Sequence, residues 1–600
     1  MLLKKPSAAP GWFRTKLLSL IFLLAGGLVI LRLFNWQVIR GEELQRAGSL
    51  QQKSSKSQGA SRGSILASDG FPLAVSSAGW VVWADPREIE NPKSIAEKLA
   101  PLILEKETET EEEATISAQM TDKQKEELAN ERLNSEKSRL FDQLSKKGAW
   151  VPLKHKINID TKKKIQDLNI AGINFDPEER RTYPEASMAA HILGFVGKDE
   201  AGEDKGYFGL EGKYDMALSG VGGEKSWERD ALGNPILGGL SRRIEALDGV
   251  DLKTHIDRTI QYLTEKHLKS GLEKYGASSG SITIMRPQDG AILAQSALPD
   301  YSPNNFYQYK GELYVNPVIS QTFEPGSIFK VIVVAAALDS GAVTLEDRCG
   351  QCSGPVKIGQ YTIRTWDGKY YPEITPAEII QHSDNTGMVW IAQRLGADKL
   401  YDYLSSFGIG SLSGIDLQGE TTASLRKKGK WGDIDLATTS FGQGIAVTPI
   451  QMVRAVGVIA NKGKLSTPQV VEKVVGKGWE EKVKPQVLKE IISQESAQEV
   501  TGMMINAVAN GEAKWAVPKG YSIAGKTGTA QIPIAGHYDP TKTNASFIGF
   551  APADNPQFVM MVTLHQPTSS PWAAETAAPL WFNVARDLFI YLGVQPSNND

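Results

Sequence analysis

The stretch from Leu17 to Ile39 most limits what this chain can become. Leu17–Leu31 is an unbroken run of apolar and small residues; Arg32 interrupts it before Leu33-Phe34-Asn35-Trp36-Gln37-Val38-Ile39, and Lys4, Lys5, Arg14 and Lys16 precede it. Such a segment crosses a bilayer as a helix, because its backbone N–H and C=O groups must then all be bonded internally. Arg32 can snorkel to the far headgroups, where Trp36 is also well placed. A cleaved signal peptide and a retained anchor both fit this pattern. No small-x-small site follows the apolar core, and LRLFNWQVI continues as an amphipathic helix, so the anchor is the reading adopted. The basic residues then stay in the cytoplasm, and the N-terminus with them. No second run of this kind occurs, so the rest of the chain is expected to be one water-soluble body outside the membrane.

Six hundred residues are enough for two or more domains with their own cores. With 66 basic against 69 acidic residues, the chain carries no excess charge that would point to nucleic acid. The seven histidines form no HExxH or paired-ligand pattern, so neither a metal nor a cofactor is expected in the chemistry. Only Cys349 and Cys352 occur, and a CxxC outside the membrane is open to three readings. These are a small disulfide, two free thiols, or half a metal site with Asp347 or His382.

The chain reads as a cytoplasmic tail (1–16), the anchor (17–39), a first extracytoplasmic domain (40–250) and a second (251–600). In the first, Arg62–Val75 reads as strand, Asp-Gly turn and strand. Residues 103–147 are rich in Glu, Lys, Gln and Asp and read as a solvated helical hairpin or insertion. His191 lies among glycine-punctuated strands and reads as a packed or hydrogen-bonded side chain. In the second, a long helix should end near Lys274. A hairpin then turns at Pro287-Gln288-Asp289-Gly290. Thr375-Pro376-x-Glu378 and Thr448-Pro449-x-Gln451 are capping boxes that open helices. Strands near Tyr521–Ala530, Asn544–Ala551 and Gln557–Leu564 and a closing helix from about Glu575 to Leu592 complete an antiparallel sheet flanked by helices, an α+β class.

Three short motifs fall in order in this second domain: Ser327-x-x-Lys330, Ser383-Asp384-Asn385 and Lys526-Thr527-Gly528. Alone, each is a capped helix, a polar loop or a strand-edge turn. Together they are the trio of serine acyl-transfer sites. Ser327 follows Pro325-Gly326 at a helix start, and Lys330 lies one turn on, where a desolvated amine can take the hydroxyl proton. Ser383 and Lys526 can carry that proton to the leaving amine, and Asn385 can hold a substrate amide. Gly528 lets an extended substrate lie along the strand. The backbone N–H groups of Ser327 and Thr529 suit an oxyanion, and the hydroxyls of Thr527 and Thr529 suit a substrate carboxylate.

On these motifs the sequence resembles the class B penicillin-binding proteins, monofunctional D,D-transpeptidases. Arg62-Gly63-Ser64-Ile65, Arg181-x-Tyr183-Pro184, AHILGFVG, GLEGKYD and HIDRTIQ carry the resemblance through the first domain and into the second. FGQGIAVTPIQMVRA, AGKTGTAQIP and TNASFIGFAPADNP are most like the division-type FtsI and sporulation subgroup; the elongation-type enzyme is the nearest rival. The resemblance implies a penicillin-binding/β-lactamase-like transpeptidase domain after an elongated, mostly-β pedestal (dimerisation-like) domain. It implies stem peptides ending in D-Ala-D-Ala as donors, an amine on a neighbouring stem as acceptor, and β-lactams as covalent inhibitors. An FtsW-type membrane glycosyltransferase and other divisome proteins are the implied partners. Ala67-Ser68-Asp69 departs from the family's acid–arginine pair, and Ala186 stands where glycine is common. A β-lactamase or a β-lactam sensor would share the serine.

Overall fold

The computed structural model describes residues 11–104, 121–230, 236, 241–534 and 537–596. Most of the expected cytoplasmic tail and the 105–120 part of the charged insertion lie outside the described residues. The described chain forms two compact units, residues 1–60 with 220–248 and residues 61–219 with 249–600.

In the first unit the apolar run is helical from Gly11 to Phe34 and continues as a π-helical turn over Asn35–Ile39. The stretch Trp12–Ile39 is long and apolar enough to cross a membrane, and none of it is buried by protein. A second helix, Gly41–Gln52, leads into a three-stranded antiparallel sheet, in the order Lys53–Gln58, Gly223–Glu228, Ser241–Ile244.

The second unit holds two larger sheets. The first has seven strands: Trp479–Lys482, Val471–Gly476, Asp251–Thr254, Ile65–Leu66, Pro72–Ala84 and Val151–Ile157 in order, with Ile173–Thr182 also paired to Pro72–Ala84. The Arg62–Val75 hairpin is present as read, but its second strand runs on to Ala84. Helices carry more of this region than a mostly-β pedestal implies. Pro92–Ile103 and Asp122–Leu144 pack their apolar faces together on the sheet, with Leu99, Ile103, Leu140, Leu144, Val82 and Leu153 in one core. The C-terminal turns of the charged helix are thus part of that core and not a solvated face; its N-terminal turns remain exposed.

Below the first sheet lies a buried charge cluster. Glu211, fully buried, accepts from Arg62 Nε at 2.8 Å and Arg181 Nε at 2.6 Å, while Arg62 Nη1 reaches Asp215 at 2.8 Å. His191 is buried as expected, with Nε2 3.0 Å from the Leu313 carbonyl and an edge contact to Tyr301.

The second sheet is antiparallel throughout, in the order Ile292–Leu298, Ser279–Met285, Phe558–His565, His537–Ala551, Ala524–Ile534. One face buries Ile282, Ile284, Phe547 and Val562 under helices Arg258–Tyr275 and Ala577–Tyr591. The other carries Met285, Ile548, Val559 and Met561 in the core that also takes helices Lys330–Asp339, Asn385–Leu395, Pro449–Ala460 and Gln494–Asn510. Both capping boxes are formed: Thr375 with Glu378, and Thr448 with Gln451. Cys349 and Cys352 are joined in a buried disulfide, which removes the free-thiol and metal readings.

Candidate active site

Lys330-Val-Ile-Val-Val-Ala-Ala-Ala-Leu338 is buried at every position, so the helix beginning at Lys330 is a core helix rather than an amphipathic one. Its entry is a 3-10 turn over Gly326–Phe329, which holds Ser327, half-buried, at the surface of that core. Gly326 has φ of +58°, which only glycine adopts freely, and its N–H donates to the Gly442 carbonyl at 3.0 Å. Glu324 accepts from the Gly444 N–H at 3.1 Å. The Gly442-Gln443-Gly444 loop therefore braces the turn from outside. FGQG was read only as a likeness, and nothing in its residue types announced this contact.

Lys330 is completely buried. Its Nζ lies 2.6 Å from the Ser383 carbonyl, 2.8 Å from Asn385 Oδ1 and 3.3 Å from Ser383 Oγ. Burial, and then the nearby Lys526 charge, hold this amine well below the ordinary lysine range, against weaker pulls from Asp384 and Glu512. Ser383 takes φ of +55°, an uncommon conformation for a side chain of this kind, in the turn between helices Pro376–Gln381 and Asn385–Leu395. Asp384 caps the second helix, accepting from Gly387 N at 2.9 Å, so Asn385 stands in its first turn. The amide Nδ2 of Asn385 donates to the Arg364 carbonyl at 3.1 Å, which turns Oδ1 to the lysine.

Ala524–Ile534 is the edge strand of its sheet, so one side of its ladder is unpaired by neighbouring strands. Lys526 is buried and donates to the Thr527 carbonyl and Oγ1 at 3.1 and 3.2 Å. Burial pulls its pKa down to about 8, with Glu512 opposing. Gly528 owes its identity to the nucleophile turn: a Cβ there would meet Ile328 Cγ2 at 2.8 Å and the Pro325 carbonyl at 3.1 Å. This packing constraint stands beside the role the sequence argument gave the glycine, room for an extended substrate along the strand. Thr529 Oγ1 accepts from Ala573 N at 3.0 Å.

Ser327, Ser383, Asn385, Thr527 and Thr529 line one cleft of about 90 Å³, with Lys330 and Lys526 buried beneath its walls. Trp366, Phe441, Gln443, Glu512 and Trp572, with Gly326 of the nucleophile turn, complete the lining. Sequence reasoning gave none of these five a role: Phe441 and Gln443 sit in the FGQG stretch read only as a likeness, and Trp366, Glu512 and Trp572 belong to no motif.

This fold is that of a penicillin-binding transpeptidase domain. The family model for the penicillin-binding protein transpeptidase domain matches residues 280–588, and that for the penicillin-binding protein dimerisation domain matches residues 57–254. The chain is 32% identical to stage V sporulation protein D of Bacillus subtilis, over 97% of this chain and 86% of that protein. It is 30% identical to the peptidoglycan D,D-transpeptidase FtsI of Escherichia coli, over 97% and 92%. The crystal structure of a peptidoglycan synthetase from Bifidobacterium adolescentis has the same fold, with a TM-score of 0.70, 24% identity, and coverage of 92% of this chain and 98% of that one. The chain belongs to the class B penicillin-binding proteins.

Proposed function

We propose that this chain cross-links peptidoglycan as a serine D,D-transpeptidase, at the outer face of the membrane in which it is anchored. The observation that carries the reading is the fully buried Lys330 amine, held on Ser383 and Asn385 at the foot of the cleft that Ser327 lines. A neutral amine has two N–H donors and one lone pair. The Ser383 carbonyl and Asn385 Oδ1 can only accept, so they take the two donors and leave the lone pair for a hydroxyl proton.

Ser327 Oγ attacks the carbonyl of the penultimate D-Ala while Lys330 accepts its proton. The Ser327 and Thr529 N–H groups bear the oxyanion. The amide C–N bond breaks and the leaving D-Ala nitrogen takes a proton through Ser383, with Lys526 beside the path. The donor lies along the free edge of Ala524–Ile534, its amide on Asn385 and its terminal carboxylate on Thr527 and Thr529 near the Lys526 charge. An amine of a second stem then displaces Ser327. A β-lactam acylates the same serine.

The basic N-terminus stays in the cytoplasm and the catalytic body outside it. The partner is an FtsW-type glycosyltransferase with other divisome proteins, and the relatives named FtsI and stage V sporulation protein D favour a division-type role. Septal rather than lateral-wall localisation of a tagged copy tests that role. Labelling with a fluorescent penicillin tests the chemistry: the parent labels and Ser327→Ala does not. An unlabelled parent, or a mutant that labels equally, refutes the acyl-enzyme.

A further inference from the structure

Two tryptophans and one carboxylate of the cleft have no part in the roles assigned so far. Trp366 and Trp572 are 46% and 41% exposed, and their rings lie 5.1 Å apart at 60°. Each is tied to a different wall. Trp366 Nε1 donates to the His382 carbonyl at 3.3 Å, beside Ser383; Trp572 precedes Ala573, whose N–H holds Thr529 at 3.0 Å. Large apolar rings left in water across a cleft contribute little to folding and are better explained by something that lies against them. Glu512 follows the helix Gln494–Asn510, lines the same cleft, and makes no ion pair or side-chain hydrogen bond among the described residues. Aromatic faces and a carboxylate lining one cleft suit a cation.

We infer that Glu512, Trp366 and Trp572 form the subsite for the acceptor amine, gathering it as its ammonium ion. The inference rests on the transpeptidase reading above. The acceptor must come in where the leaving amine went out, on the Ser383 and Lys526 side. Glu512 is close enough there for its charge to act on both lysines. The ammonium exchanges one proton with bulk water. The free amine then forms the new C–N bond as the C–Oγ bond of the ester breaks, and its second proton passes to Ser327 Oγ. Water carries no charge for this subsite to hold, so the subsite favours aminolysis over hydrolysis.

The test uses the full chain in detergent with a thioester analogue of the donor. It reads the ratio of aminolysis to hydrolysis of the acyl-enzyme, which is independent of how fast Ser327 was acylated. Glycinamide serves as an acceptor with a large ammonium fraction and hydroxylamine as a neutral one. Glu512→Gln should lower the ratio roughly five- to tenfold for glycinamide at low salt, by raising its KM, and leave it unchanged for hydroxylamine. Trp366→Ala should act in the same direction. An unchanged ratio with glycinamide, or an equal fall with both acceptors, overturns the proposal. So does a selective loss of hydrolysis, which would make Glu512 a base for water. If the parent fails to label with fluorescent penicillin, the transpeptidase reading and this proposal fall together. Normal labelling with an unchanged ratio removes this proposal alone.

Discussion

Glu211→Ala should damage the protein far from the cleft, and by an amount the structure allows to be worked out. Glu211 is fully buried and accepts from two guanidiniums and, at 3.3 Å, from the Tyr183 hydroxyl. Arg62 and Arg181 are themselves only 8% and 9% exposed, so neither can turn to water when the carboxylate goes. Arg62 would keep Asp215 at 2.8 Å, but Arg181 would keep only the Gly63 carbonyl at 2.7 Å. Breaking a buried pair from one side typically costs about 3–5 kcal/mol, because a desolvated charge is left behind. Glu211→Gln keeps the shape and one acceptor but not the charge, and should cost about half as much. The assay is urea unfolding followed by tryptophan fluorescence, read as a shift in midpoint at unchanged slope. Combining Glu211→Ala with Arg62→Met and Arg181→Met should recover part of the loss, since both stranded guanidiniums are gone and Asp215, a quarter exposed, keeps the Gly206 N–H at 2.7 Å and access to water. A loss below about 0.5 kcal/mol for Glu211→Ala would refute the view that this cluster is desolvated and mutually compensating.

Four further outcomes follow from the site. Gly528→Ala should lower the rate of β-lactam acylation at least about tenfold and cost about 1–3 kcal/mol, because the new methyl displaces the Gly326–Phe329 turn; a parent-like rate would show that the turn yields freely. Acylation by an anionic β-lactam should hold below about pH 8 and fall above it, as Lys526 loses the charge that attracts the carboxylate; a rate still rising at pH 9 would contradict the role given to Lys526. Stability should move the other way: an unfolded lysine keeps its proton toward 10.5, so between about 8 and 10.5 the unfolded chain binds more protons and Lys526 makes stability rise with pH. Thr375→Ala should cost about 1 kcal/mol by opening the box that starts the helix leading to Ser383; a thermal melt identical to the parent would mean that this helix is held by packing alone.

What was legible in the sequence is mostly local. The capping boxes at Thr375 and Thr448, the hairpin over Pro287–Gly290 and the Ser327-x-x-Lys330 spacing each depend on residues within one turn of each other, and all four are in place. The anchor was legible because membrane helices must be apolar along their length. Glu211 was not, since its partners lie 149 and 30 residues away and charged residues ordinarily face water. Trp366, Trp572 and Glu512 were equally silent, being brought together only by the folded cleft. The burial of the last turns of helix Asp122–Leu144 was not legible because two buried leucines among many charges leave almost no apolar period to detect.

The seven-stranded sheet draws Val471–Gly476 and Trp479–Lys482 from deep in the C-terminal half onto Asp251–Thr254, which itself lies parallel to Ile65–Leu66. Exchange of one half of this body between relatives is therefore not a matter of joining two genes at one seam. A hybrid spliced just after Thr254 would ask a strand pair from one parent to complete a ladder evolved in the other, with Leu252 fully buried in that ladder. Hybrids that also carry residues 471–482 with the N-terminal half keep that ladder in one lineage. Recombination in nature or in the laboratory should tolerate such double crossovers better than the single one that the linear sequence invites.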